Sequence, residues 1–305
     1  MSKVIVGFDA SDQSDDALVL SQALAEVYGA ELHVAVVLPR SRVPFETAIA
    51  GAEVSAQLEE RLYEFAQRRL ETEFIRASLD GERGGRSAAR ALYEYAEEQD
   101  ADLIVVGSSH RGKVGRILPG SVGESLLRGA PCAVAVAPRG FARREHPGLG
   151  LIGIAYDGSE EADLALTEAA RLSSSLGADL RVITVVPPVA AFDATAFMLE
   201  DLRADHRRFY REKLEKGVSR LRDVPAETVL EDGDPAAVLA QQGIDLDLLV
   251  MGSRGYGSVR SALLGAISSA VMRTAPCPVL ITPRGSARRT NPNERTADGE
   301  LAVEQ

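Results

Sequence analysis

Cysteine, basic charge and long apolar runs are all scarce in this 305-residue chain. The two cysteines, Cys132 and Cys277, are too few for a disulfide framework. Neither has a second cysteine or a histidine at ligand spacing, so no zinc site is encoded. Each precedes an apolar run and reads as a small buried hydrophobe. Lysine and arginine number 34 against 45 aspartates and glutamates, for a net charge of −11. That balance repels nucleic acid and anionic lipid, and the arginines are scattered among acids. No apolar run approaches the ~18 residues of a membrane helix. Met1-Ser2-Lys3 leads straight into Val4-Ile5-Val6 with no leader pattern. A cytoplasmic protein without nucleic-acid or membrane partners is therefore expected. The Gly-x4-Gly-Lys-(Ser/Thr) phosphate loop is absent, and no nucleophile–base pair stands at a known spacing. The sequence thus gives no catalytic residue.

What the chain does have is repetition. Residues 130–140 read Ala-Pro-Cys-Ala-Val-Ala-Val-Ala-Pro-Arg-Gly, and residues 275–285 read Ala-Pro-Cys-Pro-Val-Leu-Ile-Thr-Pro-Arg-Gly, identical at seven of eleven positions. Ahead of each copy stands a glycine-rich loop in the same register, with Gly107 matching Gly252 and Gly120 matching Gly265. Such agreement marks two copies of one domain. The domains run over 1–140 and 150–285, joined by a linker at about 138–150. Residues 286–305 are polar and aperiodic, which predicts a disordered tail.

Each copy alternates short apolar runs with amphipathic stretches. Val4–Phe8 and Leu151–Tyr156 read as first strands, closed by Asp9-Ala10-Ser11 and Asp157-Gly158-Ser159. Helices Ser14–Tyr28 and Ala162–Leu176 follow, and Gly29 and Gly177 end them. Second strands span Leu32–Leu38 and Leu180–Val186, and proline stops both. Charged amphipathic helices lie near 56–72 and 200–221, and third strands near 73–78 and 226–230. The stretch from Leu202 to Lys216 alternates in sign and reads as a solvated helix face. Helices then start at Gly85-Arg86-Ser87-Ala88 and Gly233-Asp234-Pro235-Ala236. Fourth strands are Leu103–Val106 and Leu248–Met251, and last strands Ala133–Ala137 and Pro278–Thr282. The expected fold is α/β: two tandem doubly wound domains, each a five-stranded, mainly parallel sheet flanked by helices. Ligand belongs at the carboxyl ends of the strands.

The fourth strand of each copy feeds the same kind of loop. Copy one has Gly107-Ser108-Ser109-His110, nine residues, then Gly120-Ser121. Copy two has Gly252-Ser253-Arg254-Gly255, nine residues, then Gly265-Ala266. A helix starts at the last glycine, and a helix start offers free amides and a positive dipole end to a phosphate. Plainer explanations stand beside that one. Ser121-x-x-Glu124 has the form of a capping box. Asp9 and Asp157 are placed to cap helices. Gly120 and Gly265 would admit a closely packed helix. Arg111, Lys113, Arg254 and Arg260 would either offset phosphate charge or be solvated. His110 has no partner that would make it a base.

These motifs together resemble the tandem form of the universal stress protein family. That family carries Gly-x2-Gly-x9-Gly-(Ser/Thr) after its fourth strand, and its nucleotide-binding members hold ATP there. The resemblance spans residues 1–285 and includes the Asp-x-Ser turn and the Ala-Pro-Cys-x-Val ending. It implies a nucleotide-binding stress-response regulator that takes ATP, with or without Mg2+, in one or both copies. Asp9 and Asp157 would sit beside adenine and ribose, and Val37 and Val185 would present backbone groups to the base. Gly107, His110, Gly120, Ser121 and Val122 would hold ribose and phosphates in copy one. Gly252, Gly255, Gly265, Ala266 and Ile267 would do so in copy two. Neither copy matches in full, since His110 replaces a glycine and Ala266 a hydroxyl. A structural or interaction scaffold with vestigial sites is one alternative, and a slow ATP hydrolase, with weak hydrolysis at most, is the other. The resemblance further implies that the copies pair through their last strands as a pseudo-dimer, to which a homodimer could be added.

Overall fold

A computed structural model describes residues 2–36, 60, 61, 64, 66–68, 78–80, 87–109, 117, 120–144, 148–189, 196–221, 223–253 and 265–283, with backbone alone at 78–80, 121 and 196–199. In the first repeat the order is β1 (Lys3–Phe8), α1 (Asp12–Tyr28), β2 (Glu31–Val36), β3 (Ser78–Asp80), α2 (Ala88–Glu98), β4 (Leu103–Gly107), α3 (Ser121–Gly129) and β5 (Ala133–Ala137). A 3-10 turn at Phe141–Arg143 leads into the second repeat. That repeat runs β6 (Leu151–Ala155), α4 (Glu160–Leu176), β7 (Asp179–Val186), α5 (Ala196–Val218), β8 (Ala226–Asp232), α6 (Pro235–Gln242), β9 (Leu248–Gly252), α7 (Ala266–Thr274) and β10 (Val279–Thr282). The expected helix near 56–72 and the expected tail fall largely or wholly outside the described residues.

Local chemistry sets the helix bounds. Ser11 and Ser159 take extended backbone angles, and their hydroxyls accept from Ser14 N and Ala162 N. The helices therefore begin at Asp12 and Glu160, two residues ahead of where the apolar period alone starts them. Asp12, Asp15, Glu160, Glu161 and Asp163 crowd the two first turns, where the dipole favours negative charge. Gly29 and Gly177 close both helices in the left-handed conformation.

All ten strands form one sheet in the order β3-β2-β1-β4-β5-β10-β9-β6-β7-β8. Within each half the neighbours are parallel; β5 and β10 meet antiparallel, Val136 opposite Val279 and Val134 opposite Ile281. Because successive side chains alternate in direction, the sheet has two apolar faces. Val4, Val6, Ile152, Ile154 and Leu280 lie under α1, α4 and α5. Ile5, Ile104, Val134, Leu249 and Ile281 lie under α2, α3, α6 and α7. Each core runs through both repeats without a break, so the halves do not bury separate cores as their length would allow.

Further ties cross between the repeats. Ile117, fully buried, donates its amide to Ala275 O at 3.0 Å. Tyr28 bonds to Glu168 of α4, and Arg171 lies 4.0 Å over the Tyr28 ring. The connection after β5 is fastened as well. The buried Asp16 carboxylate accepts Gly140 N at 2.7 Å and Ala142 N at 2.8 Å. Burial raises the Asp16 pKa above its ordinary value, and these two amides pull it back. Cys132 and Cys277 are both buried. Among the described residues no helix is long and apolar enough to cross a membrane.

Candidate functional site

In each half the strand order reverses at the first strand: β1 lies between β2 and β4, and β6 between β7 and β9. Neighbouring crossovers leave on opposite faces there, which opens a crevice at the carboxyl ends of the strands. The Asp-x-Ser turn sits in that crevice. Asp9 Oδ1 accepts the Ser11 amide at 3.1 Å and the Ser11 hydroxyl at 2.5 Å. Asp157 Oδ1 accepts the Ser159 amide at 2.9 Å. The two aspartates thus brace the capping serines and are not caps themselves. The middle residue takes positive φ in both turns, 60° at Ala10 and 77° at Gly158.

The glycines of the long loops have unlike jobs. Gly107 and Gly252 end the fourth strands where the first turn of α1 or α4 presses in. A Cβ on Gly107 would stand 2.0 Å from Gln13 O, and one on Gly252 2.8 Å from Glu161 O. These two are required by packing. A Cβ on Gly120 would be 3.8 Å from Ser109, ordinary contact, so close helix packing does not explain that glycine. Gly120 is instead the N-cap of α3, with extended backbone and a carbonyl that accepts Glu124 N at 2.9 Å. Ser121 is consequently the first helical residue, one place past the N-cap position that a capping box requires of its serine. The Glu124 carboxylate turns to Arg128 at 3.8 Å. Gly265 caps α7 in the same way, and Ala266 begins the helix. Gly265 N donates to Ser253 O at 2.9 Å and Ser268 Oγ to Gly252 O at 3.1 Å, pinning the two stems of the loop together.

Helix caps separate these positions from the rest. The side chains of Ser11, Ser87, Ser159 and Asp234 cap α1, α2, α4 and α6. At α3 and α7 the cap residue is a glycine, Gly120 or Gly265, which has no side chain to do the same. The first-turn amides of an α-helix have no partner inside the helix. Among the described residues, no side-chain cap takes them at the helix that follows the glycine loop in either repeat.

In the second repeat these parts enclose a cavity of about 460 Å3, within the usual range for small-molecule sites. Asp157, Val185, Gly252, Gly265, Ala266 and Ile267 all line it. Six of the seven positions singled out in this repeat are therefore brought together; the seventh, Gly255, lies outside the described residues, as do Val37, His110 and the four loop cations. In the first repeat Asp9, Gly107 and Gly120 occupy the matching strand and helix ends. Val122 packs against the core, whereas its counterpart Ile267 is 44% exposed at the cavity rim.

One wall was not foreseen. Tyr210, from the helix read as a solvated face, lines the cavity. Charge alternation hid it, because a single tyrosine among arginines and glutamates carries no period. Its pKa is raised, first by burial and then by the charge of Asp157. One turn on, Lys213 donates to Asp157 O at 3.1 Å. Burial lowers the Lys213 pKa, with Asp157 opposing. Among the described residues no group of three or more His, Cys, Asp or Glu could hold a metal ion.

Comparison with known proteins agrees with this architecture. The model of the universal stress protein family matches residues 1–138 and 150–283. A universal stress protein of Mycobacterium tuberculosis is 29% identical over 296 residues, covering 92% of this chain and 99% of the relative. One of Thermus aquaticus is 39% identical over 132 residues, which is 42% of this chain and 94% of the relative. Among solved structures, a universal stress protein from Archaeoglobus fulgidus has a TM-score of 0.66 at 22% identity, covering 93% of this chain and 98% of that one. Two matched segments, a relative of the same tandem length and a shared fold have one explanation: the chain belongs to the universal stress protein family, in its two-repeat form.

Proposed function

We propose that the chain is a nucleotide-binding regulatory protein of the stress response, and that its second repeat holds ATP. The observation carrying this reading is the start of α7 at the cavity, with no side-chain cap among the described residues. Three helices, α4, α6 and α7, begin at that cavity. The Ser159 hydroxyl already caps α4, and the Asp234 carboxylate caps α6 while repelling a second anion. An anion is drawn to α7 alone. Hydrogen bonds from backbone amides to a charged group stabilise by about 1.5–3 kcal/mol each. Asp157, which carries only acceptor oxygens when ionised, suits the ribose hydroxyls. The apolar wall suits a base. The absence of a hydroxyl at Ala266 removes one donor and leaves the backbone amides.

The like start of α3, where Gly120 is again a cap without a side chain, supports a site in the first repeat, with Asp9 in the place of Asp157. Mg2+ would be carried on the phosphates, since the described residues offer it no ligand cluster. The antiparallel register of β5 and β10 supports a pseudo-dimer in which the repeats shield each other's edge strands. Occupancy would then act through a sheet common to both halves. Equilibrium dialysis of the full chain with ATP and magnesium tests the reading. One or two nucleotides bound per chain are expected. No binding at millimolar nucleotide would leave only a scaffold with vestigial sites.

A further inference from the structure

The second-repeat cavity has two unlike ends. At the β9 side, Gly265, Ala266 and Ile267 open α7, which has no side-chain cap among the described residues. Across β6, at the β7 side, the wall is Val185, Pro187 and Tyr210, with Leu239 from α6. β9 and β7 are two strand spacings apart, about 10 Å, which is the reach from the phosphates of a nucleotide to its base.

Tyr210 is the contribution of α5 to this wall among the described residues. Its ring is held on several sides. His206 meets it edge-on at 5.1 Å, Phe209 lies perpendicular at 5.5 Å, and the Lys213 amino group stands 5.4 Å from its centroid. The Lys213 stem lies against Gly158, where a Cβ would come within 3.0 Å of it. Arg207 donates to Leu230 O at 3.1 Å and fixes the same helix to β8. A ring so anchored is positioned before any ligand arrives, which lowers the entropy lost on binding.

We infer that Tyr210 is the base-recognising residue of this cavity: its ring packs on the planar base of a nucleotide whose phosphates reach α7, so that the site selects a nucleoside phosphate over a bare polyphosphate. The inference rests on the nucleotide reading above and adds to it a residue outside the strand-end and glycine-loop positions. Base-on-tyrosine stacking is a general device for holding any nucleobase. The phenol remains protonated at neutral pH, because burial and Asp157 both hold its proton on.

The test follows the Ala266 and Ile267 amide resonances of the full-length protein, which report on the second repeat alone. ATP, adenosine and inorganic tripolyphosphate are titrated into wild type, Tyr210→Leu and Tyr210→Phe. Loss of the ring is expected to weaken ATP and adenosine about 5- to 100-fold. Tripolyphosphate should be unchanged, and Phe should restore most of the ATP affinity. Should Leu disturb α5, Tyr210→Met removes the ring while keeping apolar bulk. An unchanged ATP affinity without the ring overturns the inference. So does an equal loss for tripolyphosphate, which marks a merely structural role. If wild type binds no ATP, the nucleotide reading itself falls. If wild type binds and the ringless variants bind equally well, only the role of Tyr210 falls.

Discussion

The two Asp-x-Ser turns are one design held in two ways. In the first repeat Asp9 takes both the amide and the hydroxyl of Ser11, and an alanine sits at positive φ between them. In the second, glycine takes that φ, and the Lys213 stem packs over it while its amine bonds the Asp157 carbonyl. Among the described residues, the first turn is held by its own side chains. The second is closed by a helix brought from β7, and that helix carries Tyr210 into the cavity. Duplication preserved the turn, and divergence changed the residue at its positive-φ position.

The loop glycines allow the comparison to be broken most sharply. Gly107→Ala would drive a Cβ to 2.0 Å from a backbone oxygen, against 2.8 Å for Gly252→Ala. Overpacking of this kind costs about 1–3 kcal/mol and more at the tighter site. Urea unfolding should rank Gly107→Ala as the more damaging, and Gly120→Ala should cost well under either. Equal losses at all three would mean the glycines share one role.

The turn residues come next. Gly158→Ala places a side chain at positive φ against Lys213, for an expected loss of about 1–2 kcal/mol. The reverse change in the first repeat, Ala10→Gly, relieves that strain and should gain up to about 1 kcal/mol, less the glycine's unfolded-state entropy. Opposite signs in thermal melts are the expected result. A loss at both positions would show that the turns are not equivalent.

Asp16 sharpens a different contrast, since the second repeat has Leu164 at the equivalent place. Burial raises its folded pKa above 3.8. Its contribution to stability is then full below that ordinary value and is lost as pH rises through the raised folded value. Across that window wild type should lose stability relative to Asp16→Asn as pH rises. Parallel pH profiles would contradict the assignment.

The smallest effect concerns the thiols, which should behave alike in the two repeats. Cys277 is pushed by burial up to about 12, and Cys132 is equally enclosed. Neither should react with a disulfide reagent at neutral pH until the protein unfolds, when both should react. Prompt labelling of one thiol in the native protein would reveal an opening in that half.

Much of this was legible in the sequence because the repeat supplied its own check. Ala133–Ala137 begins and ends as a strand where the apolar run does, and Gly29 and Gly177 end their helices as expected. The second-repeat site positions converge because each sits at a strand or helix end, which turn residues mark. What was not legible depends on partners from elsewhere in the chain. Nothing near Gly107 reveals that the Gln13 carbonyl will press on it. Ser-x-x-Glu has one form whether its serine is the cap or the residue after it, and Gly120 decided the matter. Cores continuous through both repeats require knowing that β5 lies beside β10, which no single repeat contains.

The central claim is that open amides at the start of α7 hold the phosphates of a nucleotide. Ala266 is exposed at that start, so Ala266→Glu places a carboxylate among those amides without disturbing the core. A negative charge near a helix start stabilises the helix by about 0.3–1 kcal/mol while competing for the same donors. Calorimetric titration of ATP, with thermal melts alongside, is the direct measurement. The account predicts unchanged or higher stability together with at least a tenfold loss of ATP affinity at the second repeat; undiminished ATP binding by the stably folded variant would contradict it.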